Sequence, residues 1–235
     1  MKDYDVVIIG AGPAGIFTAL ELADTGASIL ILEKGHDIHH RLELNKDPHG
    51  DRSEKRMNIV CGWGGAGAFS DGKLTLTTEY GGNLEDYMHK GELAKLISYV
   101  DDVYCHYGGK EYGDEFAKER HELKRKAAAA DLSFIPARIR HLGTDVNGQI
   151  LANMRDSLPS NVHVLCDTPV EEIRCEKGAH FISTHGETYR AKYLVAAPGR
   201  DGSEWFVDQI RKLGLRMTNN AVDIGVRVES PAEIY

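Results

Sequence analysis

Three glycines at fixed spacing and one glutamate are the residues of this chain best suited to chemistry. Gly10-x-Gly12-x-x-Gly15 follows the apolar run DVVII and opens an amphipathic stretch, and a second apolar run, SILIL, ends in Glu33. Gly10 permits a tight turn out of a strand, Gly12 removes a side chain where a pyrophosphate must approach the backbone, and Gly15 lets helix and strand pack closely. Pro13 and Ala14 then stand in the first turn of a helix whose free N–H groups and positive dipole end attract phosphate. Glu33 falls where a carboxylate accepts hydrogen bonds from a ribose diol, and its charge would repel a 2′-phosphate, which argues against NADP. GxGxxG alone is common; this one has the strand before it, the helix after it and an acid about 20 residues on. The expectation is a dinucleotide site.

A second constellation follows. Cys61-Gly-Trp-Gly-Gly-Ala-Gly-Ala-Phe-Ser-Asp-Gly-Lys-Leu74 carries five glycines between positions 62 and 72, too many for a good helix or an ordinary strand. Such a loop lets backbone lie against something flat or anionic, and a flavin ring is one such object. Ser70 and Asp71 can hydrogen-bond a ligand there, with Asp71 alternatively capping the turn. Lys73 either stabilises negative charge on a reduced cofactor or sits on the surface. Arg41, shortly after the second strand, either folds back onto a pyrophosphate or is exposed. His141 follows Arg138 and Arg140; the trio either holds an anionic substrate while His141 moves a proton, or is structural. Cys61 beside the glycine loop has no neighbouring cysteine to resolve a disulfide, which weighs against redox partnership. His36, His39, His40 and His49 lack the cysteines or paired carboxylates of a ligand set, so no metal is expected.

The elements that position these residues read as α/β. Ile16, Ala19, Leu20 and Ala23 recur at helical spacing, and SILILE has the character of a strand buried on both faces. Gly35 to Asn58 is polar without a sustained period and reads as a surface connection. Glu92–His106 and Asp114–Ala130 read as helices, and Thr144 as the N-cap of a third with Ile150, Leu151, Met154 and Leu158 inward. From Asn161 the strand pattern returns as a small meander broken at Lys177-Gly178 and His185-Gly186. Tyr193–Ala197 reads as a further buried strand running into Pro198-Gly199-Arg200, and a helix follows with Trp205, Phe206, Ile210 and Leu213. The 28 basic and 36 acidic residues leave a net charge of −8, which disfavours a nucleic-acid or membrane surface. Val6–Ala23 carries Gly10, Gly12, Pro13, Gly15 and Glu21, so strand plus helix accounts for it better than a signal peptide or membrane span. Four cysteines without CxxC spacing point to free thiols and a cytoplasmic protein.

NIVCGWGGAGAFSDGKL, HLGTD, APGRDGSEW and VDIGVRVESPAEIY, with the N-terminal fingerprint and EKG, resemble a family of FAD-dependent dehydrogenases or oxidoreductases. That family lies in the glutathione-reductase-like FAD/NAD(P)-binding superfamily. The resemblance implies a Rossmann-like fold with a parallel sheet, a small β-meander and a helical insertion. It divides the chain into a discontinuous FAD-binding domain (1–75 and 160–222), an insertion (76–159) and the start of a substrate domain (223–235). It assigns Gly10, Gly12, Gly15 and Glu33 to the AMP half of FAD, and Pro13, Ala14, Lys34 and Arg41 are counted with them as candidate cofactor contacts. Gly64, Gly65, Ala66, Ser70, Asp71, Gly72 and Lys73 fall near pyrophosphate and flavin, Val170 near adenine through its backbone, and Ala197 and Gly199 in the strand-end motif. Members are usually longer, and the superfamily's late strand followed by Gly-Asp has no counterpart after Asp223, so the chain reads as an N-terminal portion with its substrate domain truncated. The favoured activity is hydride or electron transfer between FAD and a small molecule, with an unidentified electron donor or acceptor. An NAD-binding enzyme like thiazole synthase and a non-catalytic flavin-binding fragment are the alternatives.

Overall fold

The computed structural model describes residues 1–46, 51–110, 117–135, 138–219, 224–226 and 229. In chain order its elements begin with β1 (Lys2–Ile9), α1 (Pro13–Leu22), β2 (Ile29–Leu32), α2 (Ile38–Lys46), α3 (Arg52–Val60) and β3 (Lys73–Thr75). Then come α4 (Lys90–His106), α5 (Ala117–Ala129), β4 (Ile139–His141), α6 (Thr144–Asp156) and β5 (Val162–Leu165). The chain continues through β6 (Val170–Glu176), β7 (Ala179–Thr184), β8 (Glu187–Ala196) and α7 (Ser203–Lys212). Among the described residues, six strands form one mixed sheet in the order β5-β2-β1-β8-β7-β6. Its first four strands run parallel, and β8, β7 and β6 continue as the antiparallel meander.

Alternation along the central strands builds a core on each face. Val6 and Ile8 with Ile29 and Ile31 pack against Ile16 and Ala19 of α1 and Ile150, Leu151 and Met154 of α6, around the buried ring of Trp63. Val7 and Ile9 with Leu30 and Leu32 face the other way, onto Ile173, Ile182 and Tyr189 of the meander. Both faces are therefore covered, as a parallel sheet requires. No helix among the described residues is long and apolar enough to cross a membrane.

Several expectations change. Gly35–Asn58 is not a simple surface connection: it contains α2 and most of α3, and Ile38, Arg41 and Asn58 are buried. Thr144 is the first helical residue of α6 rather than its cap; Gly143 takes that place and its carbonyl accepts the N–H of Asn147 at 3.0 Å. The third meander strand and the strand expected at Tyr193–Ala197 are one continuous strand, β8, which pairs antiparallel with β7 and parallel with β1. Tyr193 within it is 63% exposed, so that end is not buried on both faces. Within the segment expected to be an insertion, α6 shares the core of β1 and β2, and β4 pairs with β3. Asp114–Phe116, at the start of the second expected helix, and most of 223–235 lie outside the described residues.

Candidate functional site

The chain leaves β1 toward β2 on one side, while β8 enters on the other. That reversal opens a crevice at the carboxyl ends of the parallel strands, where open α/β sheets bind ligands. Gly10 N–H donates to Leu32 O and Ala197 N–H to Ile9 O, both at 2.8 Å, so three strand ends are tied together at its floor. The cleft has a volume of about 790 Å³. Its walls come from the β1–α1 turn, the end of β2, the glycine loop, residues 168–170 and the β8–α7 turn.

The glycine spacing works as its chemistry requires. Gly10 has a φ of 99°, and a Cβ there would run into the Ala197 carbonyl; a Cβ on Gly15 would run into the carbonyl of Gly10. Gly12 differs: a Cβ there would meet no protein atom within 4 Å, because it would project into the cleft. Gly12 caps α1 without a side-chain bond and Pro13 follows in the first turn, so the helix presents its N-terminal donors to the cleft.

Glu33 is 6% exposed, and its carboxylate joins three segments. Oε2 accepts the Ala11 N–H at 2.7 Å, and Oε1 accepts those of Gly35 at 2.9 Å and Gly62 at 3.0 Å. The expected ribose acceptor is thus also the fastening between the β1–α1 turn and the glycine loop. Gly64 N–H donates to Ala11 O at 2.7 Å and closes the same seam. Lys34 pairs with Asp201 across the mouth of the cleft.

Arg41 is neither exposed nor in the cleft lining. Fully buried behind the glycine loop, it donates from Nη1 to Trp63 O at 2.5 Å and Gly65 O at 3.1 Å, and from Nε to Asn58 O at 3.1 Å. Asn58 returns a bond from Nδ2 to Arg41 O at 3.1 Å. Burial pulls the Arg41 guanidinium down to about 10.

Of the other expected residues, Gly10, Gly12, Pro13, Glu33, Lys34, Gly65, Ala66, Val170, Ala197 and Gly199 line the cleft together. Ala14, Gly15, Gly64, Ser70, Asp71, Gly72, Lys73 and His141 do not. Lys73 and His141 stand opposite each other on β3 and β4, with Asp71 Oδ2 at 3.4 Å from Lys73 Nζ and 3.8 Å from His141 Nε2. The expected Arg138–Arg140–His141 trio is not assembled. Arg140 turns inward, donating from Nη2 to Asp101 Oδ2 at 2.7 Å, as alternation along a strand directs. Cys61 lines the cleft, but burial pushes its thiol up, which keeps it protonated. His36 and His39 face Asp167 and Asp156, no cluster of metal-binding side chains occurs among the described residues, and His49 lies outside them.

Sequence reasoning missed Thr168, Pro169 and Trp205 as cleft residues, although it marked the turn that holds Asp201 as offering backbone to a ligand. The available signal was the glycine turn PGRDGS after β8, which places Trp205 in the first turn of α7.

Residues 5–41 match the model of the family described as FAD dependent oxidoreductase. An uncharacterized protein of Clostridium beijerinckii is 29% identical over 231 residues, covering 97% of this chain and 37% of that protein. Digeranylgeranylglycerophospholipid reductase of Methanosarcina acetivorans is 36% identical over 64 residues, covering 27% of this chain and 16% of the reductase. The chain therefore spans little more than a third of the first relative's length. Among solved structures, glycine oxidase from Geobacillus kaustophilus superposes with a TM-score of 0.52 at 18% identity, covering 92% of this chain and 60% of that one. This likeness is one of fold: a mixed α/β architecture around a mainly parallel sheet.

Proposed function

We propose that the chain is the FAD-binding part of a flavin-dependent oxidoreductase acting on a small molecule. The observation that carries this reading is the open space at Gly12: the one fingerprint glycine whose missing side chain leaves room in the cleft stands at the N-terminus of α1. A backbone cradle at a helix N-terminus fits a pyrophosphate. The match of residues 5–41 to an FAD-dependent oxidoreductase family supports flavin over a free nicotinamide nucleotide.

The residues that would hold FAD are Gly10, Gly12 and Pro13 with Gly65 and Ala66 at the phosphates, and Glu33, Lys34 and Val170 toward ribose and adenine. Ala197 and Gly199 complete the floor. FAD, when bound, supplies acceptance and donation of hydride or electrons. The protein contributes orientation through the glycine loop and exclusion of water through the apolar walls. Lys73, His141 and Asp71 form an ionisable cluster beyond that loop, where His141 can hold or move a proton for the substrate. Four free thiols agree with a reducing, cytoplasmic setting.

The test is a visible absorbance spectrum of the purified chain before and after FAD addition and desalting, with chromatography of any cofactor released on denaturation. Retained FAD with an oxidised-flavin spectrum is expected. Release of NAD, or rejection of FAD by both this chain and a longer version, would overturn the proposal.

A further inference from the structure

We propose that Trp205 is the stacking platform for the adenine ring, a residue that makes the cleft prefer adenine dinucleotides over a flavin mononucleotide; this rests on the FAD reading above. Trp205 lines the cleft with Pro169 and Val170, and the adjoining Thr168 N–H donates to Glu33 O at 2.8 Å. Two bonds place it there. Its Nε1 donates to Glu171 O at 3.1 Å, fixing the indole beside Val170. One turn on, Gln209, 2% exposed, donates from Nε2 to the same carbonyl at 3.4 Å and accepts the Ile173 N–H on Oε1 at 2.9 Å.

The Glu171 carbonyl serves both side chains because the ladder between β6 and β7 slips there: Val170 pairs with Thr184, Glu172 with Ser183, and Glu171 has no cross-strand partner. A bulge of this kind re-aims a strand next to a site. Here it turns a backbone acceptor toward α7, whose Trp205 forms part of the cleft wall. The ring is only partly buried, and its orientation is fixed before any ligand arrives, so stacking costs little ordering. Trp63, the chain's other tryptophan, is fully buried, with its Nε1 bonded to Leu151 O at 2.9 Å. A ligand in the cleft therefore reaches one indole and not the other.

Titration of the purified chain with FAD, ADP and FMN, followed by tryptophan fluorescence and calorimetry, tests the proposal. Trp205→Phe and Trp205→Leu both lose the bond to Glu171, so they differ in the aromatic face. In the wild type, FAD and ADP should quench the emission of Trp205. Trp205→Leu should bind both about 5- to 150-fold more weakly, the range expected for losing one base–aromatic stack, while Trp205→Phe stays close to wild type. FMN affinity should not change in either variant. Equal binding of FAD and ADP by the Phe and Leu variants would overturn the platform while leaving the FAD reading intact. ADP binding with the expected Phe–Leu difference, but no FAD binding, would overturn the FAD reading and keep the adenine platform. Wild-type protein that binds neither FAD nor ADP overturns both.

Discussion

Arg41 and Glu33 are buried charged residues on opposite sides of the glycine loop, and their partners explain why both are there. Glu33 gathers backbone N–H groups, and Arg41 gathers backbone carbonyls, so the loop is held by its donors from one side and its acceptors from the other. Charge-assisted bonds of this kind are stronger than neutral ones, and losing them leaves buried polar atoms without partners. A lysine at position 41 keeps the charge but cannot span the fork from Trp63 O to Asn58 O. Arg41→Lys should therefore destabilise the fold by about 2 kcal/mol and lower the urea midpoint by about 1 M. Unchanged midpoints for this variant would mean that the loop is held by other contacts. The position of Glu33 at the cleft was legible in the sequence, because it ends the second apolar run; its bonds to the Ala11, Gly35 and Gly62 N–H groups were not. The arginine was read as either folded onto a pyrophosphate or exposed, and it is neither, since burial behind a loop leaves no mark on local spacing.

Elements with strong period were read correctly: β1, α1, β2 and the inward face of α6 follow apolar repeats, and α4 was found as a helix although Leu96 of its expected stripe is exposed and Asp101 and Tyr104 are buried. The helices α2 and α3 escaped because much of their anchoring is polar, through Arg41 and Asn58, and only Ile38 and Leu42 of their apolar residues join the core. In β8 the alternation of buried Tyr189 and Ala191 with exposed Arg190 and Lys192 gives way to a run of half-buried residues, which hides one strand behind two patterns. The β1–α1 turn offers a sharper trial of the glycine roles. Gly15→Ala should lower thermal stability by more than about 5 °C, because its methyl would meet the Gly10 carbonyl, whereas Gly12→Ala should cost only the poorer N-cap, about 2–4 °C. The Gly12 variant should instead lose FAD affinity by about tenfold or more, through a methyl placed where a pyrophosphate approaches. Calorimetric melting with FAD titration separates the two effects, and equal loss of stability in both would contradict the open space at Gly12.

Across the molecule, protection should follow the sheet rather than the helices. The four C-terminal residues of β1 and all of β2 are buried, while the described side chains of α5 are exposed apart from Arg120 and Ala127, which are half-buried. Hydrogen exchange followed by mass spectrometry should show β1, β2 and the β1-paired end of β8 exchanging slowest and α5 fastest. Comparable protection in α5 would point to packing that its exposure does not show. The cleft draws on segments from Ile9 to Trp205; Val170, Ala197 and Gly199 of its distant half were legible in sequence, whereas Trp205 was not, because the bulge at Glu171 beside α7 is a property of strand pairing.

The sheet order also sets a schedule for synthesis. β1 lies between β2 and β8, yet β8 is the last of the six strands to be translated. At cellular translation rates, one edge of β1, whose last four residues are apolar and buried in the folded sheet, stays unpaired for on the order of ten to forty seconds after it is made. An open apolar edge is a template for wrong pairing. The nascent chain should therefore need a chaperone until Glu187–Ala196 emerges from the ribosome, and the centre of the molecule closes only when that late strand arrives.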